Sequence, residues 1–121
     1  MSAAVNGGVL VYFGFTGSGI VPGYYIVGGT SESSPEFAGV VAIADQYAHR
    51  RLGLLNPRLY TLGARHAPGI VDVTIGDTTV TFTQHGQTYT VKGFSAVPGY
   101  DLATGWGTVN AAKLVPKLAG R

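Results

Sequence analysis

Two short runs, Val9–Phe13 (VLVYF) and Tyr24–Val27 (YYIV), are continuously apolar or aromatic and rich in β-branched residues. That composition predicts strands, and the lack of alternation predicts burial on both faces, as in the parallel sheet of an α/β fold. Gly17-Ser18-Gly19 and Pro22-Gly23 punctuate the link between them. After Gly28-Gly29-Thr30-Ser31 the period changes, and Phe37, Val40, Val41, Ala44 and Ala48 recur at helical spacing. Pro35 suits the first turn of such a helix and Glu36 complements its positive end, while Arg50, Arg51 and Gly53 mark its stop. Further on, Thr79–Thr83 and Thr88–Lys92 alternate, with Val80 and Phe82 matched by Tyr89 and Val91. His85-Gly86 between them predicts a β-hairpin over residues 78–92. Val109–Leu118 reads as a closing helix despite Pro116, and no internal repeat or flexible linker breaks the pattern.

Composition narrows the function classes. At 121 residues there is room for one small domain or for part of a larger one. The absence of cysteine excludes a disulfide framework, a thiolate zinc site and a cysteine nucleophile. A formal charge of +2 is too small and too scattered for a nucleic-acid surface. No stretch approaches the ~20 apolar residues of a membrane span. The run Val9–Phe15 lacks the basic flank and small-residue cleavage site of a signal peptide. Charge is also unevenly placed: residues 1–30 contain no Asp, Glu, Lys, Arg or His. A segment that long without an ionisable group is expected to lie inside something larger.

The chemistry concentrates in Gly28-Gly29-Thr30-Ser31-Glu32-Ser33-Ser34-Pro35. Glycines at a strand-to-helix junction let a backbone approach a substrate carbonyl closely. The helix N-terminus then favours negative charge that develops there. On local grounds Ser31 or Ser33 could equally be an N-cap. The wider pattern, Gly-Thr-Ser-x-x-x-Pro followed by Phe37-Ala38-Gly39, resembles the nucleophile segment of subtilisin-fold serine peptidases. In that fold the partners run Asp, His, Ser along the chain, yet nothing ionisable precedes Ser31. His49, His66 and His85 all follow it and read as ordinary loop or surface residues. A second constellation is Asp72-Val73-Thr74-Ile75-Gly76 with Ser95–Asp101 and Thr104-Gly105-Trp106-Gly107. Two carboxylates among glycine-rich loops with free carbonyls suit a hard cation such as calcium, which takes six to eight oxygens. Turn or cap roles for Asp72 and Asp101 are the simpler alternative.

Taken in order, Gly-Thr-Ser-x-x-x-Pro, Asp-Val-Thr-x-Gly and Pro-Gly-Tyr-Asp-x-x-Thr-Gly-Trp-Gly resemble the sedolisins, the serine-carboxyl peptidases that include kumamolisin. Asn56-Pro57 with Leu59-Tyr60 adds to the likeness. The resemblance implies a subtilisin-like α/β fold with parallel sheet strands and a nucleophile-bearing central helix. It also implies calcium-binding loops, with the hairpin as an insertion, so that residues 1–121 are the C-terminal segment of a catalytic domain. It makes Ser31 the nucleophile. It makes Asp72 and Asp101 the carboxylate ligands of Ca2+, joined by the carbonyls of Val73, Val97 and Gly99. Position 97 is commonly glycine in that pattern. The family's base is a glutamate oriented by an aspartate, with a further aspartate at the oxyanion hole, and all three are expected upstream.

The implied activity is a secreted serine-type endopeptidase acting on polypeptides at acidic pH, silent without the missing N-terminal part of the catalytic domain. Glu32, beside the nucleophile, is expected to line a substrate subsite, and Glu36 to favour the helix dipole. Asp45 and Asp77 are expected on solvated surface. Two alternatives stay open: a non-catalytic pseudo-peptidase or binding module, and a small serine esterase with a rearranged histidine.

Overall fold

The computed structural model describes residues 7–15, 17 and 19–120. The elements are β1 (Val9–Phe13), β2 (Gly23–Val27), α1 (Thr30–Ala48), α2 (Asn56–Ala64), β3 (Ile70–Val71), β4 (Val80–Gln84), β5 (Gln87–Val91), β6 (Thr108–Val109) and α3 (Ala111–Ala119). They divide into two compact units, Met1–Ile43 and Ala44–Arg121.

In the first unit β1 and β2 pair antiparallel, from Val9 opposite Val27 to Phe13 opposite Gly23. The expected parallel pairing does not occur. Only residues 14–22 connect the strands, and a parallel pair needs a crossover of about a dozen residues or more. Burial on both faces fails as well. Val9, Val11 and Phe13 are half-buried, whereas Leu10, Tyr12, Tyr24 and Ile26 on the other face are 67%, 59%, 72% and 61% exposed. Tyr12 packs edge-on against Tyr24 with ring centroids 5.2 Å apart.

Helix α1 begins at Thr30, five residues before the start suggested by Pro35. Gly29, at φ 109°, turns the chain, and its carbonyl accepts from the N–H groups of Glu32 and Ser33 at 3.0 and 3.2 Å. Pro35 therefore lies inside the helix, where it has no N–H to give to the Ser31 carbonyl.

The second unit contains every fully buried apolar side chain among the described residues. Leu114 and Leu118 of α3 are completely enclosed, with Ala44, Val115 and Ala96 close behind. The end of α1 is sealed by His49 N–H to Gln46 O and Arg50 N–H to Asp45 O, with His49 at φ 53°. This is the Schellman pattern. Asp45 is not simply solvated, because its Oδ1 accepts from Leu52 N–H at 2.9 Å and fixes the chain after the helix. Helix α2, which the hydrophobic pattern did not reveal, closes in the same way through His66 at φ 48°. Arg58 of α2 donates to the Lys117 carbonyl at 3.0 Å, tying α2 to the end of α3. Asn110 caps α3 by accepting from Lys113 N–H, and Gly120 ends it.

Strands β3 and β6 pair antiparallel through Ile70–Val109 and Val71–Thr108. The predicted hairpin is present, with Val80 opposite Val91 and Phe82 opposite Tyr89. Its turn residues His85 and Gly86 both take positive φ, 51° and 76°, as a type I′ turn requires. One face carries the stacked Phe82–Tyr89 pair and the other a ladder of Thr81–Thr90 and Thr83–Thr88 hydroxyl contacts. Asp77 is again not idle surface: its Oδ1 accepts from Thr79 N–H at the root of the hairpin.

Close approach explains two buried glycines. A Cβ on Gly69 would meet the Leu114 backbone, and one on Gly63 would enter the Trp106 ring. Gly63→Ala sets two effects against each other. Helix propensity alone would stabilise α2 by about 1 kcal/mol. Forcing a methyl into a packed ring costs about 1–3 kcal/mol, and the surrounding shell leaves it nowhere to go. We expect a net loss of stability in denaturant unfolding, with Trp106 fluorescence reporting the displaced ring.

Candidate functional site

Ser31 occupies the first turn of α1 and is exposed. Among the described residues its hydroxyl has no hydrogen-bond partner. The N-cap alternative does not hold for either serine, since the helix has already begun at Thr30. Ser33 Oγ instead donates back to the Gly29 carbonyl at 3.4 Å. Within the first turn the Ser31 N–H has no intrahelical acceptor and points out at the positive end of the helix. A free hydroxyl and a free N–H therefore come together on one residue.

Glu32 behaves differently from its expected subsite role. It is 7% exposed, and its Oε2 is buried with no hydrogen-bond partner. Burial, then the adjacent Glu36 carboxyl, pushes its pKa up. The reason is legible in retrospect. The apolar ridge Ala48, Ala44 and Val40, continued backwards in steps of four, passes through Glu36 and Glu32. A helix starting near Pro35, as its first-turn preference suggests, would end that ridge at Phe37.

The three histidines all lie in the second unit. All three take left-handed φ, 53° at His49, 48° at His66 and 51° at His85, and all three sit where an element ends or turns. Histidine is among the residues that tolerate this region, and here its place is set by the backbone.

Asp72 and Asp101 converge on one loop in the second unit. Asp72 Oδ2 accepts from Gly99 N–H at 2.7 Å. Asp101, 6% exposed, accepts from Val97 N–H at 2.9 Å through Oδ2. Its Oδ1 accepts from Ala103 and Thr104 N–H at 2.9 and 2.6 Å, and the Thr104 hydroxyl adds a further contact at 3.1 Å. Backbone bonds in both directions between Asp101 and Gly105 close the turn at 3.0 Å. The Val97 and Thr104 N–H groups hold the Asp101 carboxyl below the usual carboxylate range, against the opposing effect of burial. The carbonyls of Val73, Val97 and Gly99 accept no hydrogen bond from the described residues. Two carboxylates and free carbonyls on neighbouring loops are hard oxygen donors that fit calcium. No cluster of three or more His, Cys, Asp or Glu side chains occurs among the described residues, so carbonyls would have to complete the shell.

An aromatic group escaped the sequence reading. Tyr100 stacks edge-on to Trp106 at 5.4 Å and lies 6.0 Å from Tyr60. The Tyr60 hydroxyl, with burial and the Asp101 charge, raises the Tyr100 phenol. Trp106 Nε1 is buried and unpaired. These rings flank the Asp101 turn, and the run Tyr100-Asp101-x-x-Thr104-Gly105-Trp106 was the available signal.

The sign of the Asp101 titration follows from its lowered pKa. The stabilisation is present at neutral pH and is lost as pH falls through the folded-state value, since the protonated acid gives up N–H acceptors. Thermal melts between about pH 6 and about pH 2 should therefore show an acid-side loss that Asp101→Asn removes. The variant should melt lower than the parent at neutral pH.

No protein-family model matches the chain, and no solved structure matches it. Among known proteins it is similar to tripeptidyl-peptidase 1 of Bos taurus, at 39% identity over 98 residues. The mouse and human proteins of the same name are 38% identical over 98 residues. Each similarity covers 76% of this chain and 16% of the relative. The chain thus spans about a sixth of the length of the curated relatives it matches.

Proposed function

The chain belongs, over the region it shares with tripeptidyl-peptidase 1, to the sedolisin family, and on that premise we propose that it carries the nucleophile and the calcium loop of a serine-carboxyl peptidase. The observation that carries this reading is the exposed, unpartnered Ser31 hydroxyl at the start of α1, behind Gly28-Gly29. In the whole protein, Ser31 Oγ gives its proton to a base and attacks a peptide carbonyl carbon. The Ser31 N–H, at the positive helix end, meets the oxygen that becomes negative. The amine leaves with a proton, and water then releases the acyl group from Ser31.

The base comes from outside this stretch. Residues 1–31 hold no acid or imidazole, and Glu32 is buried and favours its proton. A glutamate–aspartate pair and an oxyanion aspartate, contributed by the N-terminal part of the catalytic domain, complete the site. Protonated carboxyls there fit work at acid pH. Polypeptides are the substrate, and the relatives' name favours release of tripeptides over the internal cleavage expected from the motifs. The subtilisin-like arrangement belongs to that larger domain. Export from the cell goes with this reading, and no helix among the described residues is long and apolar enough to cross a membrane.

Asp72 and Asp101, with the carbonyls of Val73, Val97 and Gly99, would hold Ca2+. When bound, the ion supplies cross-linking of the Asp72 segment to the Val97–Asp101 loop. Among the chain's own groups, the Asp101 hydrogen bonds already shape that loop.

The absence of a base beside Ser31 equally favours a non-catalytic relative, and hydrolysis separates the two readings only with the upstream part present. The 121 residues alone should not cleave peptides at about pH 4, within the carboxyl range. Turnover there that Ser31→Ala abolishes would refute the division of the site. Adding calcium should raise Tm, by the equivalent of about 2.7 kcal/mol at a hundred-fold excess over Kd. No rise, or an equal rise in Asp72→Ala, removes the calcium assignment.

A further inference from the structure

We propose that Glu32 is a positioning residue for Ser31: by sharing a proton with Glu36 across the first turns of α1, it holds the turn that presents the serine hydroxyl and releases it when the proton is lost. The coupling is a property of the turn itself, and its consequence for catalysis rests on the reading of Ser31 as nucleophile.

The local backbone creates the need. Pro35 has no N–H, so the carbonyl of Ser31 lacks the helical bond that would normally anchor it four residues on. Glu32 and Glu36 are also four residues apart, and their side chains meet on one face across that same gap. A side-chain tie therefore spans the place where the backbone tie is missing. It sits on the residue next to the nucleophile.

Burial decides the form the tie takes. Glu32 is 7% exposed and its Oε2 has no partner. An ionised carboxylate held there needs a cation or several donors, or it keeps its proton. No cationic side chain is on offer, since residues 1–48 contain no Lys, Arg or His, and the chain's α-amino group acts on Glu32 only as the last and smallest of the effects on it. Strands β1 and β2 bring only the phenols of Tyr12, Tyr24 and Tyr25 as titratable groups. The Tyr25 hydroxyl is already given to the Val21 carbonyl at 2.6 Å. Asp45, the remaining acid of α1, lies nine residues beyond Glu36 and cannot compensate an anion. The groups favouring the charged form are the helix N-terminus and the chain's own α-amino group. Burial and the neighbouring Glu36 outweigh both, since the direction of the Glu32 shift is upward.

Two carboxyls in this position have two states. With one proton between them they are joined by a hydrogen bond to a charged acceptor, the stronger kind. With none they are like charges at helical contact, which repel. On deprotonation the O–H bond breaks, the proton goes to water, and attraction becomes repulsion across the first turns. The sign follows from the raised value. The protonated tie is intact below the ordinary glutamate range and is lost as pH rises through the folded-state value. This is opposite in sign to Asp101, so the two can be told apart in one chain.

The test is a pH titration of the full chain by two-dimensional 15N–1H NMR, following the Ser31 and Ser33 amides. Both should move with one midpoint above about 4.3, the ordinary value for glutamate. In Glu32→Gln, whose amide can still donate to Glu36, both amides should stay near their acid-form positions across the range. In Glu36→Gln the midpoint should fall toward the ordinary value, because the like charge is gone. Glu32→Ala should give the displaced amide positions at every pH, so that rescue by glutamine separates the tie from mere space filling. Amides of Ser31 and Ser33 that ignore pH in the parent, or that titrate in Glu32→Gln as in the parent, overturn the proposal. If Glu32→Gln does not fold, an unchanged midpoint in Glu36→Gln overturns it and a lowered one supports it. With the upstream catalytic part joined, Glu32→Gln should lose less kcat than the parent between about pH 4 and about pH 6. Correct amide behaviour with no hydrolysis at any pH would sink the nucleophile reading and leave the coupling standing. A steeper kcat loss in Glu32→Gln would overturn the proposed link to Ser31.

Discussion

The carboxylate of Asp101 is the anchor on which the second unit depends. Its two oxygens take the N–H groups of Val97, Ala103 and Thr104 and the Thr104 hydroxyl. The turn it shapes carries Tyr100 on one side and Trp106-Gly107 on the other. Trp106 then lies against Gly63 of α2, and Gly107 lies against the Val71 carbonyl at the end of β3, where no side chain would fit. Asp72, the next residue, reaches back to Gly99 N–H. One acid thus sets a loop, and the loop sets a helix, a strand and the second acid. A cation held by these oxygens would reinforce an arrangement that hydrogen bonds already draw.

The first unit works under a different constraint, which is the lack of any Lys, Arg or His side chain. A hydroxyl becomes a nucleophile only with a proton acceptor in reach, and the chain up to Ser31 supplies none. The nearest acid, Glu32, is turned inward along the ridge of α1. It sits opposite in character to Ser31, one buried, the other exposed and unpartnered.

What was legible in the sequence followed from local periodicity and turn chemistry. The β4–β5 hairpin was visible because alternation and His85-Gly86 agree with each other. The closing helix was expected over Val109–Leu118 and runs Ala111–Ala119, its start set by the Asn110 cap. The strands β1 and β2 were visible as strands, but their direction was not read, although residues 14–22 are too short for a parallel crossover. Helix α1 was located and started too late, because Pro35 was assigned to its first turn, whereas Gly29 begins the helix earlier. Helix α2 was missed because its stability comes from Trp106 and Arg58, contacts made far along the chain. The ordered motifs carried the family, and the similarity to tripeptidyl-peptidase 1 agrees with them.

The most direct measurement is covalent labelling of Ser31 by a fluorophosphonate, read by peptide mass spectrometry. It would be made on the 121 residues alone and on the same residues joined behind the upstream catalytic part of a tripeptidyl-peptidase 1. If Ser31 is a nucleophile whose base lies outside this chain, label appears on Ser31 in the joined protein, is absent from its Ser31→Ala variant, and is absent from the chain alone. A folded joined protein that stays unlabelled, or a chain that labels Ser31 unaided, contradicts it.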